Sequence, residues 1–144
     1  MPRLDAERIA LWRQFCTISS ALQRRLDQVL VEEHDLPLTW FDALTAIRNA
    51  GGSIRVHELY EVLDEVPSSL SRRLDRLEEE GYVRRKHTPQ PDDRRAVTVS
   101  LTVDGRGEWR DANITYRRLV QEHFAKRLTD TDIAALQRVF GKLA

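Results

Sequence analysis

The chain has 144 residues, 41% apolar and 32% charged, enough for one domain with a real core and unlike disordered, collagen-like or membrane-spanning chains. Its 23 Lys and Arg balance 23 Asp and Glu, so a uniformly basic nucleic-acid coat is excluded but a local basic surface is not. One cysteine, Cys16, excludes an intramolecular disulfide and a Cys-rich zinc finger. No apolar run approaches the roughly 20 residues of a membrane span. The opening MPRLDAERIA has acids where a signal peptide is apolar, so a soluble cytoplasmic protein is expected.

The elements read as follows in chain order. Residues 5–34 predict a long helix, with Ile9, Trp12, Phe15, Leu22, Leu26 and Leu30 recurring at steps of three and four. Its length suggests packing against something outside its own core. Asp35-Leu36-Pro37 breaks it. A second helix follows with Phe41, Leu44 and Ile47 inward, Thr39 and Asp42 at capping-box spacing, and Gly51-Gly52 as its stop. Ser53-Ile54 reads as a short strand. Residues 56–64 predict a third helix, and 67–80 a fourth, with Pro67 at its start, Gly81 at its end and a stripe of Leu70, Leu74 and Leu77. Residues 82–87 and 96–102 are β-rich and read as strands around an eight-residue projecting loop, TPQPDDRR. The second alternates, with Val97, Val99 and Leu101 to one side and Thr98 and Ser100 to the other. Thr102 caps a helix over 103–127, and Thr129-x-x-Asp132 opens a last one. The fold class is mainly α with a small β-hairpin wing (α+β).

Charge is segregated within this frame. Residues 37–66 carry a net of −3 and residues 67–95 a net of +2. Two short helices, a turn, a further helix and a hairpin make a winged helix-turn-helix, whose second helix fits a major groove about 12 Å wide. Opposite the leucine stripe stand Ser68, Ser69, Arg72 and Arg76, with Ser71 on a flank, while Glu78, Glu79 and Glu80 sit at the far end. That polarity suits insertion by the N-terminal end, where free N–H groups and the helix dipole favour phosphate. Asp75 is expected to pair with Arg72 or Arg76. On the loop, Arg95 can enter a minor groove beside Arg94, braced by Asp93 through a bidentate pair. Arg84, Arg85 and Lys86 on the preceding strand are expected to meet phosphates.

The run SSLSRRLDRLEEEGYVRR followed by PDDRRAVTVSLTVDG resembles the MarR family of bacterial winged-helix transcriptional regulators, and the likeness covers almost the whole chain. Its most specific part is Asp93-Arg94-Arg95-Ala96 followed by Leu101-Thr102 and Gly105, supported by Arg72 and Asp75-Arg76-Leu77. The resemblance implies one MarR-type domain over 1–144. In it a DNA-binding lobe over 37–102 is flanked by a dimerisation lobe over 5–34 and 103–144. It implies a homodimeric repressor on a pseudo-palindromic operator of double-stranded DNA, with a pocket for a small-molecule effector, often phenolic. By the same likeness Ser68, Ser69, Ser71 and Arg72 face the major groove, Arg95 is the minor-groove residue and Asp93 its brace. Arg73 stands where relatives usually carry an apolar residue and is counted as a phosphate contact; Tyr60 replaces a usual small residue.

Two other readings compete: a winged-helix module that binds protein, and a thiol redox sensor using Cys16. Cys16 lies on the apolar face beside Trp12 and Phe15, and the first tyrosine is Tyr60, so the tyrosines that redox-sensing relatives use are missing near it. The four histidines (His34, His57, His87, His123) have no His partner three or four residues away, so no metal site is expected. Phosphate loops, nucleophile elbows and HExxH motifs are absent, so no enzyme and no cofactor are expected.

Overall fold

A computed structural model describes residues 5–144. In order, the chain forms α1 (Ala6–His34), α2 (Leu38–Asn49), β1 (Ser53–Arg55), α3 (Val56–Leu63), α4 (Pro67–Glu79), β2 (Val83–His87), β3 (Val97–Leu101), α5 (Val103–His123), a 3-10 turn (Ala125–Arg127) and α6 (Asp130–Leu143). The described residues divide into two compact units, one of residues 5–26 with 114–144 and one of residues 27–113. None of the described helices is long and apolar enough to cross a membrane.

The 27–113 unit is a winged helix-turn-helix. Phe41, Leu44 and Ile47 of α2, Leu59 of α3 and Leu70, Leu74 and Leu77 of α4 are essentially buried. At roughly 1.5–3 kcal/mol per large apolar side chain, these positions dominate the unit's stability. The sheet is antiparallel with strand order β1-β3-β2. Ser53 pairs with Ser100 and Arg55 with Thr98 on one side of β3; Val83 pairs with Leu101 and His87 with Val97 on the other. Val83, Val99 and Leu101 turn into the core. Along β3 the expected alternation holds at Val99 and Leu101, with Ser100 between them less buried and Val97 half-buried at the wing end.

Three local expectations change. Thr39 and Asp42 do not cap α2; its N-cap is Pro37, without a side-chain cap. The Leu38 N–H donates instead to Asp27 Oδ1 on α1 at 2.8 Å, so a carboxylate from another helix replaces a local cap. The helix expected over 103–127 stops at His123, because Phe124 leaves helical geometry (φ −129°, ψ −69°) and a 3-10 turn follows. Asp75 pairs with neither Arg72 nor Arg76 but with Arg85. The Thr129–Asp132 capping box is present in both directions.

Arg73 sits inside the helix-turn-helix rather than on its surface. Its side chain is 11% exposed, and Nη2 lies 2.7 Å from Glu65 Oε2 in the turn before α4. The angle falls outside hydrogen-bond geometry, and Arg73 Nη1 is buried without an acceptor. Asp42 joins this cluster: partial desolvation raises its pKa above the usual carboxylate value while Arg73 pulls it back down. The phosphate role expected of Arg73 is thus replaced by an internal ion pair.

Thr102 joins the sheet to α5. Its hydroxyl donates to the Gly81 carbonyl at 2.6 Å and accepts from the Gly105 N–H at 2.9 Å. A Cβ at Gly105 would collide with the Tyr82 carbonyl oxygen. This contact gives the Leu-Thr-x-x-Gly spacing a physical cause.

The other unit holds the first part of α1, the last part of α5 and α6. Leu119 and Thr115 are buried within it. Trp12 stacks on Phe15 at 6.2 Å between centroids, and Phe15 meets Phe140 edge-on at 6.4 Å. Trp12 remains 64% exposed, Phe15 53% and Phe140 46%.

Two stability predictions follow from these contacts. Gly105→Ala should destabilise by about 1–3 kcal/mol, because the collision outweighs the ~1 kcal/mol of helix propensity that Ala gains; a urea melt measures it. Glu65→Ala should cost on the order of 3 kcal/mol by taking away the carboxylate that the buried Arg73 guanidinium pairs with, leaving only Asp42 nearby. Arg73→Leu should cost much less, since it also removes the orphaned N–H. Equal losses in the two melts would contradict the internal role of Arg73.

Candidate nucleic-acid interface

The interface is built on α4 and the wing, both in the 27–113 unit. Burial of Leu70, Leu74 and Leu77 leaves Ser68, Ser69, Arg72 and Arg76 on the opposite side, all exposed, with Ser71 also exposed on a flank. Among the described residues, neither the Arg72 nor the Arg76 side chain has a hydrogen bond or ion pair. Val66 begins α4 without a side-chain cap, Pro67 occupies its first turn, and no acid stands there. The helix therefore presents an uncapped, uncompensated N-terminus flanked by hydroxyls and guanidinium groups, an arrangement that accepts anions. Its acids lie in its second half and just beyond (Asp75, Glu78 and Glu79, then Glu80), away from the start.

The wing is an ordered loop. Gln90 and Asp93 exchange backbone hydrogen bonds at 2.8 and 3.0 Å around Pro91-Asp92. Thr88 and Thr98 hydroxyls meet at 2.6 Å, and His87 Nε2 bonds the Arg94 carbonyl at 2.8 Å. Asp93 Oδ1 accepts from the Arg95 backbone N–H at 2.9 Å. The brace is therefore a turn-forming bond to the backbone, not the bidentate guanidinium pair expected. The difference matters, since the Arg95 guanidinium keeps its donors. Arg94 and Arg95 are both exposed.

Strand alternation separates the three bases of β2. Arg85 stands opposite Val99 and shares the inward face with Val83. Its Nη2 lies 2.5 Å from Asp75 Oδ1 and its Nε donates to Glu78 Oε2 at 3.3 Å, while its backbone N–H donates to the same Glu78 oxygen at 2.9 Å. Arg85 thus ties α4 to the sheet, and the expected phosphate contact is replaced by this clamp. Arg84 and Lys86 take the other face, opposite Ser100 and Thr98, and are exposed. The signal was legible: a period of two cannot send three consecutive residues to one side.

Sequence reasoning missed Arg55. Its Nη1 and Nη2 donate to Asp92 Oδ2 and Oδ1 at 3.1 and 3.3 Å, fastening the wing turn to the start of α3. The paired guanidinium holds Asp92 below the usual carboxylate range. Nothing in the local sequence could announce a contact across 37 positions.

Cys16 is half-buried. Among the described residues no group of three His, Cys, Asp or Glu side chains is arranged to hold a metal ion. Trp12 and Phe15 lie on exposed helix surface, and Trp40 is half-buried.

Residues 34–96 match the model of the MarR family. The multiple antibiotic resistance protein MarR of Salmonella typhimurium is 32% identical over 137 residues, covering 95% of this chain and 92% of that protein. Among solved structures, Sco3205, a MarR family transcriptional regulator from Streptomyces coelicolor in complex with DNA, superposes with a TM-score of 0.88. It is 26% identical and covers 99% of this chain and 89% of that one. A mutant MarR from E. coli complexed with operator DNA gives a TM-score of 0.81 at 31% identity, covering 99% of both chains. With its helix-turn-helix, its wing and these relatives, the chain belongs to the MarR family of transcriptional regulators.

Proposed function

We propose that this chain is a sequence-specific regulator of transcription that binds double-stranded DNA as a homodimer on a pseudo-palindromic operator. The observation that carries this reading is the exposed, unpaired set at the start of α4 together with the unpaired Arg95 on an ordered wing of the same unit. Relatives of this likeness are solved on DNA. Ser68, Ser69, Ser71 and Arg72 are the major-groove readers, and Arg95 beside Arg94 is the minor-groove contact, with Asp93 shaping the turn. Arg76, Arg84 and Lys86 take phosphates and position the protein without reading bases. Arg73 and Arg85 leave this group, because carboxylates already hold them.

The dimer reading rests on the apolar residues that the terminal-helix unit leaves exposed. Trp12, Phe15, Phe140 and Leu143 are too many and too large for ordinary surface of a monomer. A second copy covering them would give each operator half one winged helix. The regulatory output is repression with response to a small molecule, and the site of action is the cytoplasm. We read the chain as a binding protein without enzymatic activity, in keeping with relatives that are transcriptional regulators.

Fluorescence anisotropy on the operator tests the DNA contacts. Arg95→Ala should weaken binding to all sequences and lower the salt slope by about 1. Arg72→Ala should cost about 1–3 kcal/mol and relax the preference at one base pair. Arg85→Ala should leave the salt slope unchanged. An Arg95→Ala protein that binds like wild type would remove the wing from the interface. Sedimentation at micromolar concentration should give a dimer with no folded monomer, and half-site centres should lie about 10 bp apart.

A further inference from the structure

A second cluster of arginines lies in the 27–113 unit, away from α4 and the wing. Arg48 at the end of α2 and Arg106 and Arg110 on α5 line an open cleft together with Trp109 and Leu101. Arg106 and Arg110 are four residues apart and share one helix face. Among the described residues, none of the three has a carboxylate partner.

Two of these guanidinium groups are held in place by contacts that leave their donors free. The Arg48 guanidinium lies 4.1 Å from the centroid of the Trp109 ring, a cation–π contact that uses the face of the group and no N–H. Trp109 is itself fixed, stacked on Phe41 at 6.3 Å and donating through Nε1 to Thr45 Oγ1 at 2.8 Å. Arg106 occupies the space over Gly52, where a Cβ would stand 2.7 Å from Nη2. Gly52 is buried with φ +99°, so the turn presents bare backbone there. Three like charges gathered with no acid among the lining residues repel one another, and an anion that joins them relieves that repulsion.

The sheet register keeps this cleft apart from the wing and from α4. The Gly52 turn precedes β1, and its carbonyl accepts from the Leu101 N–H at 2.9 Å, so the cleft lies at the Leu101 end of β3. The wing projects from the Val97 end, roughly 13 Å away along the strand. Arg85 joins α4 to β2, whereas the cleft is on the β1 side of β3.

We propose that Arg48, Arg106 and Arg110 form a site for a small oxyanion, a phosphate group or a carboxylate, separate from the DNA-binding surface. Planar guanidinium forks suit both ligands, since each offers two or more oxygens to parallel N–H donors. Arg48 covers a face of the Trp109 ring, so the ligand's recognition rests on the guanidinium groups. The site stands whether or not the DNA reading does, because none of its residues belongs to that surface.

Calorimetric titration of the whole chain at constant ionic strength tests it, with inorganic phosphate in one arm and benzoate in the other. At least one should bind saturably, and the arm that binds identifies the oxyanion. The double variant Arg48→Gln with Arg106→Gln should weaken that binding at least tenfold while keeping the wild-type far-UV spectrum and cooperative melt. Arg110→Gln alone, which leaves the Trp109 and Gly52 contacts intact, should weaken it in the same direction. Arg72→Gln with Arg76→Gln should not change it. Failure of both ligands to bind, or equal binding by the cleft variants, would overturn the proposal. So would a fall in affinity for a nonspecific 20-bp duplex (~two helical turns) as large as the loss of oxyanion binding, since the cleft would then belong to the DNA surface.

Discussion

The rotation of α4 about its own axis decides what this protein presents to a partner. Leu70, Leu74 and Leu77 are fully buried, and turning the helix by one residue, about 100°, would replace them with hydroxyls and charges in the core. At roughly 1.5–3 kcal/mol for each buried leucine, such a turn is prohibitive. Two arginine clamps hold the same setting from the flanks. Arg73 reaches back to Glu65 on one side of the stripe, and Arg85 reaches from β2 to Asp75 and Glu78 on the other. Ser68, Ser69, Arg72 and Arg76 are left outward as a consequence.

The basic segment from 67 to 95 therefore contains two kinds of arginine. Arg73 and Arg85 are half-buried and paired, and they act on the geometry of the helix-turn-helix. Arg72, Arg76, Arg94 and Arg95 are exposed and bring charge to the surface. The wing repeats this division in small. Asp92 is engaged by Arg55 and Asp93 by the backbone of Arg95, so the two acids of the loop order it without neutralising its arginines. A chain of zero formal charge can thus keep a basic face: its acids in this region are committed to internal bonds or placed at and past the end of α4.

The terminal-helix unit follows a different logic. It buries few side chains and leaves Trp12, Phe15 and Phe140 half-open while they contact one another. A small unit of this kind gains its stability from surface that another body covers. Nearly 30 residues of uninterrupted helix in α1 fit the same account, because they leave Ile9, Leu11, Trp12, Phe15 and Ile18 exposed.

Element types and their order were legible in the amino-acid sequence. Periodicity placed the helices, β-rich composition placed β2, alternation placed β3, and Gly51-Gly52, Gly81 and the Thr129–Asp132 box placed several boundaries. The leucine stripe of α4 also disclosed which of its residues face out, since helical geometry alone relates them. Those features depend on neighbours within a few positions. The partners of charged side chains do not, and tertiary structure alone assigned them. Asp27 caps α2 across 11 positions, Arg85 reaches back ten to Asp75, and Arg55 meets Asp92 across 37. An ion pair is nearly free of sequence rules, because its long side chains can meet wherever the fold brings them within about 4 Å. Local pattern fixes which face is buried, and only the assembled fold decides which of the remaining charges are already engaged.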